Sequence, residues 1–215
     1  MQSNADQNAW LAGVGGRVTH ELGPTVGAFV DVQVNRELYD SASSDLSASR
    51  NNWSYEAQVG AVVNFNERLQ GEAAFGQLRQ TFDDASINAV QTFTYNAGLS
   101  WQVTDLSSLQ LDVSTNVSPT SVAGEAMRIV DVGRLTYSHQ LNNQISFSAF
   151  GEIAREHYQN SDDEIRTSQA GFGAQYLINE QFSTFANYSF SLREPTGGDP
   201  SRRHFIEAGV RFNRQ

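Results

Sequence analysis

The sequence contains no cysteine and no lysine, and none of its apolar runs approaches the roughly 18 residues that would mark a membrane helix. Without cysteine there is neither a disulfide framework nor a thiolate metal site. Without lysine, all 14 basic residues are arginine, and they face 24 acidic residues for a formal charge of -10. That balance disfavours nucleic-acid binding, because neutralising phosphates needs a basic surface. The start MQSNADQNAW lacks the basic n-region and apolar h-region of a signal peptide. Either the chain is cytoplasmic or its export signal lies outside this sequence. A mean hydropathy of -0.43 reads as soluble, but averaging hides transmembrane strands, which bring a polar residue with every lipid-facing one.

What is present is alternation. In Gln91 to Val103, QTFTYNAGLSWQV, the residues Phe93, Tyr95, Ala97, Leu99, Trp101 and Val103 are apolar and those between them are polar or glycine. A soluble strand is usually about 5 to 6 residues long, and this one alternates for about twice that length. Trp53, Tyr55, Ala57, Val59, Ala61, Val63 and Phe65 do the same, as do Val26, Ala28, Val30, Val32 and Val34. The pattern predicts strands near 9–20, 25–38, 52–66, 69–82, 89–104, 108–118, 127–140, 144–158, 166–178, 182–193 and 203–213. No segment carries a helical stripe.

The connections fall into two kinds. Short polar turns (ELGPT, NER, TDLSS, LNN, NEQ) alternate with connections rich in Ser, Asp, Gly and Pro, such as DSASSDLSASRNN and REPTGGDPSR. The short turns recur roughly every 40 residues, so the repeating unit is one long antiparallel hairpin. A propeller blade of that period would split into four short strands and fits less well. Ten residues rising about 3.3 Å each and tilted near 40° cover roughly 25 Å, the height of an outer-membrane barrel's apolar band. The apolar parity is therefore expected to meet lipid and the polar parity a lumen. Trp10, Trp53, Trp101, Tyr137, Phe147, Tyr176, Tyr188 and Phe212 sit mostly near strand ends on the apolar parity, as interface girdles require. A soluble β-sandwich, which would bury such aromatics against a second sheet, is the weaker alternative. In 127–140 the parity of Val130 and Val132 opposes that of Leu135 and Tyr137, which suggests a bulge near Asp131 to Arg134.

Placing short turns on the periplasmic side makes the first and last strands run the same way. Two such strands cannot close an antiparallel barrel. At least one strand is therefore expected before Trp10, so that the chain would be one barrel domain over 1–215 lacking an N-terminal strand and signal peptide. An odd-stranded barrel with one parallel seam is the competing explanation.

The segments from RLTYSHQLNNQISFSAFGEIAREHY to RRHFIEAGVRFNR resemble the repeating hairpins of the "putative β-barrel porin" families of Gram-negative outer membranes, sometimes found near polysaccharide-export genes. The resemblance implies an all-β, antiparallel up-and-down transmembrane β-barrel of about 11–12 strands. It also implies partners in outer-membrane lipid and small polar solutes or ions. The ending EAGVRF looks like the signal read by the barrel-assembly machinery, with Gly209 and Phe212 at the matching places and NRQ following where a terminal aromatic is usual.

The polar parity carries Arg17, Asp31, Glu56, Glu72, Asp112, Arg134, Glu152, Glu156, Arg193, Glu207 and Arg211 as candidate lumen-lining residues. A charged lumen tunes ion selectivity; a narrow one would hold charges that only pair with each other. Gly13, Gly15, Gly27, Gly60, Gly98, Gly171, Gly173 and Gly209 share that parity. Of four histidines, His157 and His204 lie near outer loops with Glu156, Glu194 and Ser201 in the neighbourhood, but no motif fixes a Ser-His-acid geometry. The run SDDE at 161–164 lacks the spaced ligands of a calcium loop and reads as a solvated acidic loop. No catalytic residue, metal or cofactor is expected. The reading is a porin-like barrel passing ions or small polar solutes, with a non-conducting scaffold or surface-binding barrel, associated with polysaccharide export, as the alternative.

Overall fold

A computed structural model describes residues 9–39, 51–119, 127–158 and 163–212. Eleven strands follow in order: β1 (Ala9–Glu21), β2 (Val26–Tyr39), β3 (Asn52–Asn66), β4 (Leu69–Phe82), β5 (Val90–Thr104), β6 (Ser107–Pro119), β7 (Met127–Gln140), β8 (Ile145–Tyr158), β9 (Glu164–Leu177), β10 (Phe182–Pro195) and β11 (Ser201–Phe212). Each boundary lies within two residues of the sequence expectation. They form one antiparallel sheet in sequence order, β1 to β11, with every hairpin paired to its neighbour. This is up-and-down architecture, and β1 and β11 are its edges; no pairing joins them among the described residues.

Local chemistry explains the sharp reversals. In the turn between β7 and β8 the Asn142 carboxamide oxygen accepts from the Gln144 and Ile145 amides at 2.8 and 2.9 Å. Asn179 repeats the arrangement between β9 and β10, accepting from Gln181 and Phe182 at 2.9 Å each. An Asn side chain that supplies the acceptor of a turn lets the backbone reverse in few residues.

The sheet has no second layer. Among the described residues only Phe29, Ala74, Leu78, Val90, Met127 and Ile129 are buried apolar side chains, whereas Val14, Val18, Phe75, Phe93, Ile153, Phe172 and Ile206 are all more than half exposed. A sandwich would cover these. Here most of the apolar parity is left open on the outer face, with Met127 and Ile129 at the long-connection end of β7 as exceptions, as expected of a surface solvated by lipid.

The opposite face is concave near β1 to β4. Arg17 on β1 donates to Glu72 on β4 at 2.9 and 3.1 Å, across three strand spacings of roughly 4.8 Å each. The space is made by Gly60, the Cα partner of Phe29. The Phe29 ring lies over it, so that a Cβ at position 60 would collide with the ring and stand 2.6 Å from the Ala73 carbonyl. Arg17 then lies 4.0 Å above the ring centroid.

The expected bulge in β7 does not form. β7 pairs with β6 and β8 in unbroken register from Met127 to Gln140, and the register shifts instead fall near short turns, between Asn64 and Asn66 and between Gln102 and Thr104. Val130 and Val132 simply face the polar side. Asp131 takes the apolar side, where its carboxylate accepts from Thr115 at 2.8 Å and its Cα partner is Arg155. A hydroxyl partner near the strand end makes the polar residue tolerable there, so no change of register is needed.

Candidate functional site

The candidate site is the polar face. Following the register across the sheet puts odd residues of β1 and β2, even residues of β3 to β8 and odd residues of β9 to β11 on one side. Arg17, Asp31, Glu56, Glu72, Asp112, Arg134, Glu152, Glu156, Arg193, Glu207 and Arg211 all fall there. The same rule adds Glu21, Glu37, Arg128 and Arg203, which the sequence reading omitted. Arg128 was hidden by the supposed bulge, and the other three by their places near strand ends; extending strict parity to the ends would have found them.

Two layered arrangements organise this face. In the first, Arg17 bonds Asp31 at 3.0 Å and Glu72 at 2.9 Å while resting on Phe29. In the second, Arg134 bonds Glu152 at 2.9 Å and lies 4.0 Å from the Phe150 ring centroid, and that ring covers Gly171 as Phe29 covers Gly60. A glycine floor, an aromatic ring and a guanidinium held by carboxylate recur on separate parts of the sheet. Cation–π contact and charge-assisted hydrogen bonds together fix each guanidinium against the wall.

Pairing divides the charges. Asp31, Glu72 and Glu152 are held by arginine, and Glu156 stands 3.7 Å from Arg128 and accepts from Tyr158 at 2.8 Å. Glu56, Asp112 and Glu207 are instead held by amides: Gln58 at 2.7 Å, Gln110 at 3.2 Å and Asn187 at 3.4 Å. An amide leaves the carboxylate's charge uncompensated. Arg193, Arg203 and Arg211 make no ion pair among the described residues. Although β3 and β4 form one hairpin, Glu56 and Glu72 are not near neighbours across it. Glu56 pairs with Leu78 and Glu72 with Val62, six positions apart along the strand, or about 20 Å.

Two of the concavities on this face lie toward its opposite ends. One of about 310 Å³, toward the long connections, is lined by Glu37, Glu56, Asn52, Gln80 and Thr94. The other, of about 620 Å³ near the short turns, is lined by Gln102, Ser138, Gln140, Gln175, Asn187 and Arg211. Both offer hydroxyl and amide groups beside apolar ones, so they can hold water and polar solutes.

The histidines do not assemble a catalytic group. Parity separates His157 from Glu156 and His204 from Ser201, which face opposite sides of the sheet. His204 Nδ1 lies 2.9 Å from the Tyr188 hydroxyl, and His139 Nδ1 lies 2.8 Å from the Ser107 hydroxyl, with no carboxylate joined to either among the described residues. No group of metal-ligating side chains occurs among the described residues. Of the SDDE run, Ser161 and Asp162 lie outside the described residues, and Glu164 is bonded by Arg155 at 2.7 Å. Just past the end of β4, Asp83 accepts two hydrogen bonds from Arg36 of β2, at 2.6 and 2.8 Å, and these hold its carboxyl below the usual aspartate range.

A family model described as "Putative beta-barrel porin 2" matches residues 1–214. No curated protein matches the sequence. Among solved structures, the fold is similar to the outer membrane channel DcaP of Acinetobacter baumannii, with 14% identity, a TM-score of 0.60, and coverage of 92% of this chain and 61% of that one. It is similar also to the FrpB iron transporter of Neisseria meningitidis, with 10% identity, a TM-score of 0.60, and coverage of 87% and 37%. A third is OmpT, an outer membrane protein of Vibrio cholerae, with 10% identity, a TM-score of 0.55, and coverage of 95% and 76%. The chain thus spans about three-fifths of the first of these channels and little more than a third of the second.

Proposed function

Since the chain belongs to the family described as "Putative beta-barrel porin 2" and is an outer-membrane β-barrel protein, we propose that its polar face lines an aqueous path for ions or small polar solutes. The observation that carries the reading is charge spread along the full length of one face: the described polar face holds nine carboxylates, Glu21, Asp31, Glu37, Glu56, Glu72, Asp112, Glu152, Glu156 and Glu207, and six guanidiniums, Arg17, Arg128, Arg134, Arg193, Arg203 and Arg211, whereas the described outer face carries Arg, Asp and Glu only near the long connections. Charges at this density need water. The proposal includes an odd number of further strands between β11 and β1, because the two edges run in the same direction and only an odd number makes every seam antiparallel. It also includes presentation of β11, through Gly209 and Phe212, to the barrel-assembly machinery. Phe212 packs on Phe182 at a centroid distance of 5.0 Å, which fixes the terminal strand against its neighbour.

Excess carboxylate predicts weak cation selectivity. Screening over roughly 8–10 Å makes the preference fade as salt rises. The amide-held carboxylates Glu56 and Asp112 carry much of it, since Glu152 is compensated by Arg134 and Arg17 offsets one of the two charges of Asp31 and Glu72. In planar bilayers the reversal potential across a low-salt gradient should have the cation sign and should fall toward zero in a Glu56→Gln, Asp112→Asn double variant. An anion preference would contradict the charge assignment. Absence of conductance would favour the scaffold reading instead.

A further inference from the structure

The outer, apolar face carries eight Arg, Asp or Glu residues within its described strands, and all lie at one end. They are Arg36 on β2, Arg79 on β4, Asp131 on β7, Arg155 on β8, Glu164 and Arg166 on β9, Glu194 on β10 and Arg202 on β11. Each is within four residues of a strand terminus at the long connections. The rest of that face, down to the short turns, has none. Five of the eight are arginines. Two of these are compensated, Arg36 by Asp83 and Arg155 by Glu164. Arg79, Arg166 and Arg202 are exposed and make no ion pair among the described residues.

Immediately below this belt, on the same parity, lie Tyr55, Phe75, Phe93, Phe172, Tyr188 and Ile206, all at least two-fifths exposed. The belt therefore sits at the upper rim of the lipid-facing band. In a bacterial barrel the long connections mark the outer leaflet. Guanidinium at that rim, directed sideways rather than into the lumen, meets lipid headgroups first. Its permanent positive charge attracts phosphate.

We propose that Arg79, Arg166 and Arg202 form a binding belt for the phosphorylated glycolipid headgroups of the outer leaflet. The apolar band below holds the acyl chains, and the belt fixes barrel height by charge. The inference shares the face assignment made above but not the open lumen, so a barrel that fails to conduct would leave it standing.

The test uses the full chain folded in an uncharged detergent and titrated with lipid A, or with lipid A stripped of its phosphates. A near-surface arginine contributes about fivefold to such attraction, and Arg166 and Arg202, on either side of β10, lie close enough to share one headgroup, so the triple variant Arg79→Gln, Arg166→Gln, Arg202→Gln should bind lipid A roughly 25-fold more weakly. An Arg-to-Lys triple variant keeps the charge and should retain most of the binding, which guards against misreading a folding defect. A double variant Arg193→Gln, Arg203→Gln removes charge at the same end from the other face and should bind as the parent does. Unchanged affinity in the Gln triple variant would overturn the proposal, as would equal loss in the double variant or equal binding of the dephosphorylated lipid.

Discussion

Replacing Leu99 with arginine should lower stability in a bilayer by about 2–4 kcal/mol, while replacing its neighbour Ser100 with arginine should change it little. Leu99 stands between Gly71 and Leu111 on the outer face, and Leu111 is next to Leu135, so the substitution places a guanidinium in a continuous apolar strip. All outward charges in β2 to β11 lie within four residues of the long connections. The uncharged remainder of β5 is centred near Leu99, which is where lipid penalises arginine most. Ser100 pairs with Gln70 and Gln110 in a polar row, where an added arginine finds water and acceptors. Urea titration of both variants refolded into lipid vesicles measures the difference. Equal costs, or a greater cost at position 100, would reverse the faces.

A larger effect is expected from the solvent itself. The outer face leaves Val14, Val18, Phe75, Phe93, Ile206 and Val210 each more than 65% exposed, part of a band that runs along the whole sheet. A soluble monomer rarely shows a contiguous apolar patch above a few hundred Å². The protein should therefore be monodisperse and β-rich in detergent and should precipitate when detergent is diluted below its micelle concentration. Size-exclusion chromatography with circular dichroism reads both. A folded, monodisperse species in plain buffer would contradict the membrane assignment.

The strands were legible because a two-sided sheet leaves a record at every second residue, and lipid on one side leaves that record unmixed. The side of Arg17, Asp31, Glu72 and Glu152 followed from parity alone. Their partners did not. Arg17 reaches Glu72 over Phe29 because Gly60 leaves room, and that relation joins four strands through a register that sequence does not state. Strand β7 misled for a physical reason: valine is the strongest apolar signal in a strand, yet Val130 and Val132 face the polar side while Asp131, near the rim, takes the lipid side with Thr115 as partner. Near the ends of membrane strands the parity rule weakens, because headgroups accept charge. The same weakening hid the arginine belt, which becomes apparent only when Arg36, Arg79, Arg155, Arg166 and Arg202 are placed by pairing at one height.

The alternation of faces is tested most directly by water accessibility along β5. The chain has no native cysteine, so single substitutions introduce a unique thiol. With cysteine placed in turn at Asn96, Ala97, Gly98, Leu99, Ser100 and Trp101, in protein folded into lipid vesicles, a charged maleimide reports which positions meet water. Labelling at 96, 98 and 100 with protection at 97, 99 and 101 is the expected result. Uniform labelling, or protection at the even positions, would contradict it.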